Sequence, residues 1–350
     1  MMNQEAIDAI HTCYHGKTLF RGDMHEHAQT GGTSNGKVPL SQWKNELKSL
    51  NMDFAAILDH RQVRHMYLED WDETMFLCGS EPGTSVDCAD GVRRRLHYNM
   101  LLPRKEDLPN VLAVFPEFRF SGGADGHFSY PGFKRERLSQ LTGIILGLGG
   151  MFTHAHPKQI MDSQNPLDYY FHEHMCLEVV YESITSAATI QNYALWKDLL
   201  ARGKKVYASA GADTHNLPVD RALTTLYAKR RHNTAFMEEI HRGNFTAGSA
   251  AIRMVLNGQV TGSTVAAKSG DLLCIVISDV LETDIHADHS YAVCIWGGNE
   301  VIWKNEISIR EPFSFSLPIA NHPFYRVTLL DTTLNIPLAY GNPIFVTYEP

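Results

Sequence analysis

The stretch Leu19-Phe-Arg-Gly-Asp-Met-His-Glu-His27 places an acid and two histidines at alternate positions behind a pair of apolar residues. Alternate side chains of an extended strand lie on the same face, so Asp23, His25 and His27 are expected to point one way and Glu26 the other. Imidazole and carboxylate groups are common ligands of zinc, iron and manganese. The stretch therefore predicts a strand whose end contributes to a metal site.

Four later strand-like runs also finish in His, Asp or Glu. They read FAAILDH (54–60), MFLCGSE (75–81), GMFTHAH (150–156, followed by Pro157) and VYASAGADTH (206–215), and a further run, RLHYNMLL (95–102), carries a histidine on one face. The carboxyl ends of parallel strands meet at one edge of a sheet or barrel. Convergence of these ends predicts a site for more than one metal ion.

One histidine pair serves as an internal control. His172-Glu-His174 has the same spacing as His25-Glu-His27, but it precedes a strand-like run instead of ending one. A lone His-x-His pair is weak evidence, because buried histidines often only bond a backbone group. We expect this second pair to take no part in the site.

The pattern of apolar residues changes near residue 250, which predicts two domains. Up to about residue 250, apolar strand-like runs alternate with helix-like segments, which is typical of an α/β fold with a largely parallel sheet. From residue 251 onward, short β-rich runs are separated by Gly, Pro and Asn, which favours a small antiparallel sandwich. The predicted domains are 1–250 and 251–350.

Composition narrows the possible partners and the compartment. A formal net charge of -8 over 350 residues argues against nucleic acid and anionic membranes as partners. The N-terminus lacks the basic and apolar regions of a signal peptide, and no run approaches the length of a membrane span. Six scattered cysteines without a Cys-x-x-Cys pair suit reduced thiols. We therefore expect a cytoplasmic protein with a small-molecule substrate.

The motifs DMHEH, ILDH, GSE, LHYN, HAHP and GADTH, in this order, resemble those of the polymerase-and-histidinol-phosphatase (PHP) domain. The C-terminal FYRV and NPIFV are similar to the sandwich of the subgroup related to the carbaryl hydrolase CehA and to McbA. The resemblance implies a distorted (β/α)7 barrel followed by a β-sandwich. It also implies two or three divalent ions, usually zinc, iron or manganese, and phosphoester hydrolysis as the commonest activity.

The resemblance also implies which side chains bind metal, with Glu81 as the carboxylate that bridges two ions. Glu117 in VFPEF, followed by His127 in DGHF, repeats the order of Glu81 and His97 and is the alternative pair. His154 shares a strand face with His156, so it either lines the pocket or binds metal. The expected ligands are His25, His27, His60, Glu81, His97, His156, Asp213 and His215.

Three further carboxylates, Asp23, Asp59 and Glu178, are expected to support the ligands by orienting imidazoles or by bonding inside the barrel. Two cations suit an anionic substrate. Arg61 follows the Asp-His motif, and its guanidinium can bind two oxygens of a phosphate or carboxylate; a surface ion pair is an equal alternative for Arg61. Lys158, which follows the His-Pro motif, is the second candidate.

The predicted reaction is hydrolysis of a small phosphomonoester or phosphodiester by a metal-bridged hydroxide. His97 or His154 would protonate the leaving group. Two alternatives stay open. The same metal cluster could hydrolyse an amide or carbamate, or the protein could be a catalytically inert module that holds metal and binds a partner.

Overall fold

The computed structural model describes residues 3–87, 90–157 and 172–348, so Lys158 lies outside the described residues. No helix in these ranges combines the length and the hydropathy needed to cross a bilayer. The α-helices of these ranges are α1 (Gln4–Tyr14), α2 (Leu40–Ser49), α3 (Asp107–Ala113), α4 (Arg135–Gly147), α5 (Ala187–Ala201) and α6 (Asn233–His241).

The strands before residue 250 form the sheet that carries the site. In order, β1 pairs parallel with β2 and β2 with β3, β5 pairs antiparallel with β3 and β7, and β8 pairs parallel with β7 and β9. The strands are β1 (Thr18–Glu26), β2 (Phe54–Ile57), β3 (Phe76–Ser80), β4 (Gly83–Asp87), β5 (Arg93–Leu102), β6 (Gly132–Lys134), β7 (Met151–His154), β8 (Cys176–Tyr181), β9 (Tyr207–Gly211), β10 (Thr224–Ala228) and β11 (Phe245–Gly248).

The last of these seven paired strands returns to the first. The Asp213 N–H donates to the His25 carbonyl at 2.8 Å, and the His27 N–H donates to the Thr214 carbonyl at 3.2 Å. The ends of β9 and β1 are thereby bonded to each other. The sheet is mixed and not purely parallel, because β4 and β5 form an antiparallel pair that returns the chain without a crossover helix.

Helix α5 covers β8, the strand that supports the site. It begins after Ser186, whose hydroxyl accepts a hydrogen bond from the Thr189 N–H at 3.1 Å. Its buried face includes Trp196, whose indole N–H donates to the Val206 carbonyl at 3.0 Å. The Asn192 amide donates to the Glu178 carbonyl of β8 at 3.0 Å. The helix is thus fixed to β8 by polar contacts as well as by apolar packing.

The chain beyond residue 250 forms two groups of strands around one apolar core. One is an antiparallel sheet in the order β13-β12-β15-β18, and the other joins β14, β16, β17, β19, β20 and β21. Ile275 of β15 and Val327 of β19 both lie in this core. The strands are β12 (Ala251–Leu256), β13 (Gln259–Val260), β14 (Thr264–Ala267), β15 (Leu272–Ser278), β16 (Tyr291–Gly297), β17 (Glu300–Ile307), β18 (Phe313–Pro318), β19 (Phe324–Asp331), β20 (Ile336–Gly341) and β21 (Ile344–Tyr348).

Strand pairing and helix packing both join the two parts of the chain. Strand β11 pairs with β10 on one side and with β20 on the other, so the first sheet continues into the C-terminal strands. Helix α1 packs its buried face, including Ile10, against Val255 and Val276. The first helix of the chain therefore contacts strands that lie beyond residue 250.

Candidate metal centre

Glu81, directly after β3, lies at the centre of the site with no exposed surface. Its Oε1 is 2.7 Å from His97 Nδ1 and 3.3 Å from His156 Nε2. Its Oε2 faces the other imidazoles, at 2.9 Å from His60, 3.3 Å from His27 and 3.5 Å from His25. The two oxygens of one carboxylate therefore face two different sets of histidines, which is the arrangement of a bridging ligand.

Asp213 follows β9 and is the second carboxylate of the site. Its Oδ1 lies 2.9 Å from His27 Nε2, 3.4 Å from His25 Nε2 and 3.3 Å from His215 Nε2. Within the described residues, three groups of potential ligand atoms each lie within 4.8 Å of one another. The groups are His27, His60 and His215; His25, His27, Glu81 and Asp213; and Glu81, His97 and His156.

These three groups contain all eight side chains that the resemblance implied as ligands, and they are compatible with divalent metal ions. Several of their atoms are buried and lack a hydrogen-bond partner among the described residues, namely His25 Nε2, His27 Nε2, Glu81 Oε2 and Asp213 Oδ1. Buried polar atoms without partners are rare and call for an explanation such as an ion. Because imidazole and carboxylate are the donors that zinc, iron and manganese accept, the residues fit such ions.

The cluster balances its own charges. Burial alone would raise the pKa of Glu81, but the surrounding imidazoles, His25 first, hold that pKa well below its usual range. Asp213 is affected in the same way. Burial opposes protonation of His27, yet Asp213 and Glu81 raise its pKa to about 9. The carboxylates are therefore anionic at neutral pH, the form in which they bind a cation.

Left-handed backbone conformations occur at three non-glycine residues in or next to the cluster. The φ angles are 52° at Arg61, 28° at His156 and 56° at Asp213. Such conformations cost free energy and concentrate at functional sites. Here they occur where strands end, so the bend of the backbone helps to aim His156 and Asp213 at the cluster.

Glu178 supports two of the ligands directly. Its Oε1 is 2.9 Å from His25 Nδ1, and its Oε2 accepts a hydrogen bond from the His156 N–H at 2.6 Å. The contact with Nδ1 leaves His25 Nε2 facing the cluster, as a carboxylate behind a metal-binding histidine commonly does. Glu178 therefore contacts the imidazole of His25 and the backbone of His156.

The other two predicted supporting carboxylates bind backbone and hydroxyl groups instead of imidazoles. Asp23 accepts from the N–H groups of His25, at 2.9 Å, and of Ala212, at 3.2 Å. Asp59 Oδ1 is 3.9 Å from His27 Nδ1, too far for a hydrogen bond, and it accepts from the Ala28 N–H at 2.9 Å. Both carboxylates hold the chain that surrounds the ligands.

The structure does not bring the alternative pair Glu117 and His127 into the cluster. Glu117 forms an ion pair with Arg137, at 2.6 Å, and His127 is exposed. The control pair also lies outside, because His174 Nδ1 contacts the Tyr207 hydroxyl at 3.0 Å and neither His172 nor His174 belongs to the three groups.

His154 does not have the surroundings of a proton donor. It is fully buried, and its ring centroid lies 5.2 Å from that of Tyr98. Burial, with repulsion from His156 and His97, holds its pKa well below the usual range, so the imidazole is neutral at neutral pH. His97 lies inside the cluster, with its Nδ1 2.7 Å from Glu81 Oε1. These surroundings argue against either histidine as the group that protonates a leaving group.

One side of the cluster is open to solvent. The side chains of His60, His97 and His215 keep 20%, 17% and 29% of their surface exposed, whereas His25 and His27 have none. Arg61 is the residue after His60 and is half-buried. Among the residues that the structure describes, no acidic side chain pairs with Arg61.

Sequence reasoning missed two polar residues of the site. The Tyr181 hydroxyl donates to Asp213 Oδ2 at 3.1 Å. Tyr181 and Glu178 are three residues apart, which in a regular strand means opposite faces, but an irregularity between Glu178 and Val180 breaks the alternation. Glu26, expected to point away, is fully buried and accepts from the Thr214 N–H at 2.8 Å.

No protein-family model matches the chain, and no curated protein matches it. Among solved structures, it is similar to a two-domain protein from Bacteroides vulgatus ATCC 8482 that contains a predicted PHP-like metal-dependent phosphoesterase. The identity is 12%, the match covers 95% of this chain and 96% of that chain, and the TM-score is 0.41. The description of this neighbour as PHP-like agrees with the family that the sequence resembles.

A second similar structure is Endonuclease Q in complex with a 27-mer duplex substrate, at 12% identity, with 64% of this chain and 56% of that chain covered and a TM-score of 0.40. This neighbour corrects the expectation that a chain of this kind has no nucleic-acid partner. The physical reason is that a net charge of -8 describes the whole chain. It does not decide what binds where metal ions set the local charge.

Proposed function

We propose that the protein is a metal-dependent hydrolase that cleaves a small phosphomonoester or phosphodiester. The observation that carries the proposal is the position of Glu81, whose two oxygens face two sets of imidazoles. Two or three zinc, iron or manganese ions held there would supply an activated water at neutral pH and would offset charge on phosphoryl oxygens.

The protein's own residues supply positioning and charge. Glu178 holds His25 and the backbone of His156, while Glu26 and Asp23 hold the strand ends. Arg61, the residue after the partly exposed His60, would suit the oxygens of an anionic substrate, since a guanidinium can donate two parallel hydrogen bonds. The buried histidines exclude water from the inner side of the cluster, so substrate approaches from the exposed side.

The proposal extends to the architecture. We infer that seven strands, each paired with the next, form the distorted barrel that the PHP resemblance implies. These strands are β1, β2, β3, β5, β7, β8 and β9. The strands of residues 251–350 would form the sandwich, with α1 packed against it. In this arrangement several of the proposed metal ligands follow the carboxyl ends of β1 and β9, and the others lie on or after adjacent strands. Barrel enzymes carry their active sites at this end of the strands.

The proposal is tested with protein loaded separately with zinc, manganese or iron. We expect hydrolysis of p-nitrophenyl phosphate or bis-p-nitrophenyl phosphate that chelation abolishes and added metal restores. An aryl carbamate with the same leaving group is the matched comparison. Faster turnover of the carbamate would favour the amide or carbamate hydrolase, and no turnover of either class would favour an inert metal-holding module.

A further inference from the structure

We propose that Tyr181 is a positioning residue that determines which oxygen of Asp213 meets a metal ion. The proposal concerns the metal centre and does not depend on which substrate is cleaved. Tyr181 ends β8, the strand that also carries Glu178. This strand therefore provides contacts to three ligands, since Glu178 reaches His25 and His156 while Tyr181 reaches Asp213.

The two oxygens of Asp213 have different neighbours. Oδ1 faces three imidazoles, at 2.9 Å, 3.4 Å and 3.3 Å, and has no hydrogen-bond partner among the described residues. Oδ2 accepts the Tyr181 hydroxyl at 3.1 Å. A hydrogen bond that occupies Oδ2 leaves Oδ1 as the oxygen for a cation. Asp213 would then contribute one ligand atom and not two, which keeps a coordination position open for water or substrate.

Tyr181 is held firmly enough to impose this choice. Its side chain is buried, and its ring centroid lies 5.3 Å from that of His156. Its backbone is tied to the start of α5, because its N–H donates to Thr189 Oγ1 at 2.9 Å and its carbonyl accepts from the Ser186 hydroxyl at 2.7 Å. The ring is fixed on one side by a ligand and the backbone by a helix terminus, so the hydroxyl stays directed at Asp213.

A matched control separates this role from a purely structural one. Tyr14 is also buried, and its hydroxyl donates to Asn244 Oδ1 at 2.6 Å. It lies on α1, which packs against the C-terminal strands and not against the cluster. Tyr14→Phe and Tyr181→Phe each remove one hydroxyl and the hydrogen bond that it donates, so both are expected to lower the thermal midpoint in EDTA by a similar amount.

The experiment titrates Mn²⁺ alone into the full-length wild type, Y181F and Y14F, by calorimetry and by the electron paramagnetic resonance of bound Mn²⁺. We expect Y181F to bind Mn²⁺ about 10- to 100-fold more weakly and to change the spectrum, as the loss of a supporting contact does in other metal sites. Y14F should match the wild type. Unchanged Mn²⁺ affinity in Y181F, or an equal loss in both variants, would overturn the proposal. No substrate is needed, so failure here is distinct from failure of the proposed hydrolysis.

Discussion

The Glu26 carboxylate accepts a hydrogen bond from the backbone N–H of Thr214 at 2.8 Å. Glu26 is the middle residue of the His25-Glu-His27 motif, and Thr214 is the middle residue of the Asp213-Thr-His215 motif. The His27 N–H also donates to the Thr214 carbonyl, at 3.2 Å. The two motifs, which supply four of the expected ligands, are therefore joined through the residues between those ligands.

Glu26→Ala is expected to lower the free energy of unfolding by about 1–3 kcal/mol, because it leaves the buried Thr214 N–H without an acceptor. Burial, with Asp23 nearby, raises the pKa of Glu26 well above its usual range, so the neutral amide of Glu26→Gln is a close mimic that keeps an acceptor. E26Q should lie much closer to the wild type. Denaturant unfolding in EDTA measures both, and equal losses in E26A and E26Q would contradict this role of the bond.

Stability without metal should depend on pH through His27. Its folded-state pKa of about 9 lies above the ordinary 6.5. A raised histidine pKa contributes stability that is fully present below pH 6.5 and is lost as pH rises through 9. The difference in pKa corresponds to about 3 kcal/mol. In EDTA, the stability that wild type has over His27→Gln should therefore shrink between pH 6 and pH 9. A constant or growing difference would show that the imidazole is not held protonated by Asp213 and Glu81.

Much of the site could be predicted because metal ligands are a restricted set of residue types and strand ends are recognisable. His60, Glu81 and Asp213 each follow an apolar run closely, so the type of residue and its position agreed. His172-Glu-His174 had the same spacing without a strand before it, and it lies outside the cluster. Position at a strand end was thus more informative than the spacing of the histidines.

The features that could not be predicted depend on irregular backbone and on contacts between distant segments. Strand alternation assigned Glu26 to the outer face, but the pairing of β1 with β2 shifts register between Asp23 and Glu26. A similar shift in β8 brings Tyr181 to the face of Glu178. Such bulges have no reliable sequence pattern, because they are decided by the neighbouring strands.

Arg61→Gln is expected to reduce kcat/KM for an aryl phosphate about 10- to 100-fold while metal content stays unchanged, since a hydrogen bond to a charged group contributes about 1.5–3 kcal/mol. Arg61→Lys keeps the charge but loses the paired donors, so it should recover only part of the loss. Arg137→Gln is the matched control, because Arg137 is already paired with Glu117. Steady-state kinetics on the manganese-loaded variants measure kcat/KM. Wild-type kinetics in R61Q would assign Arg61 to the surface.

Glu81→Gln should remove metal, whereas Glu117→Gln should not. An amide has one acceptor oxygen where the carboxylate has two. Gln at position 81 therefore cannot offer an oxygen both on the side of His97 and on the side of His60. We expect E81Q to retain about one ion fewer per chain than the wild type, because a bridging ligand is shared by two ions. E117Q loses only a partly exposed ion pair with Arg137, which contributes at most about 1 kcal/mol. Metal-to-protein ratios from inductively coupled plasma mass spectrometry measure the outcome, and thermal midpoints in EDTA show that both variants are folded. Loss of metal in E117Q with full occupancy in E81Q would move the bridge to Glu117 and would refute the site assembled around Glu81.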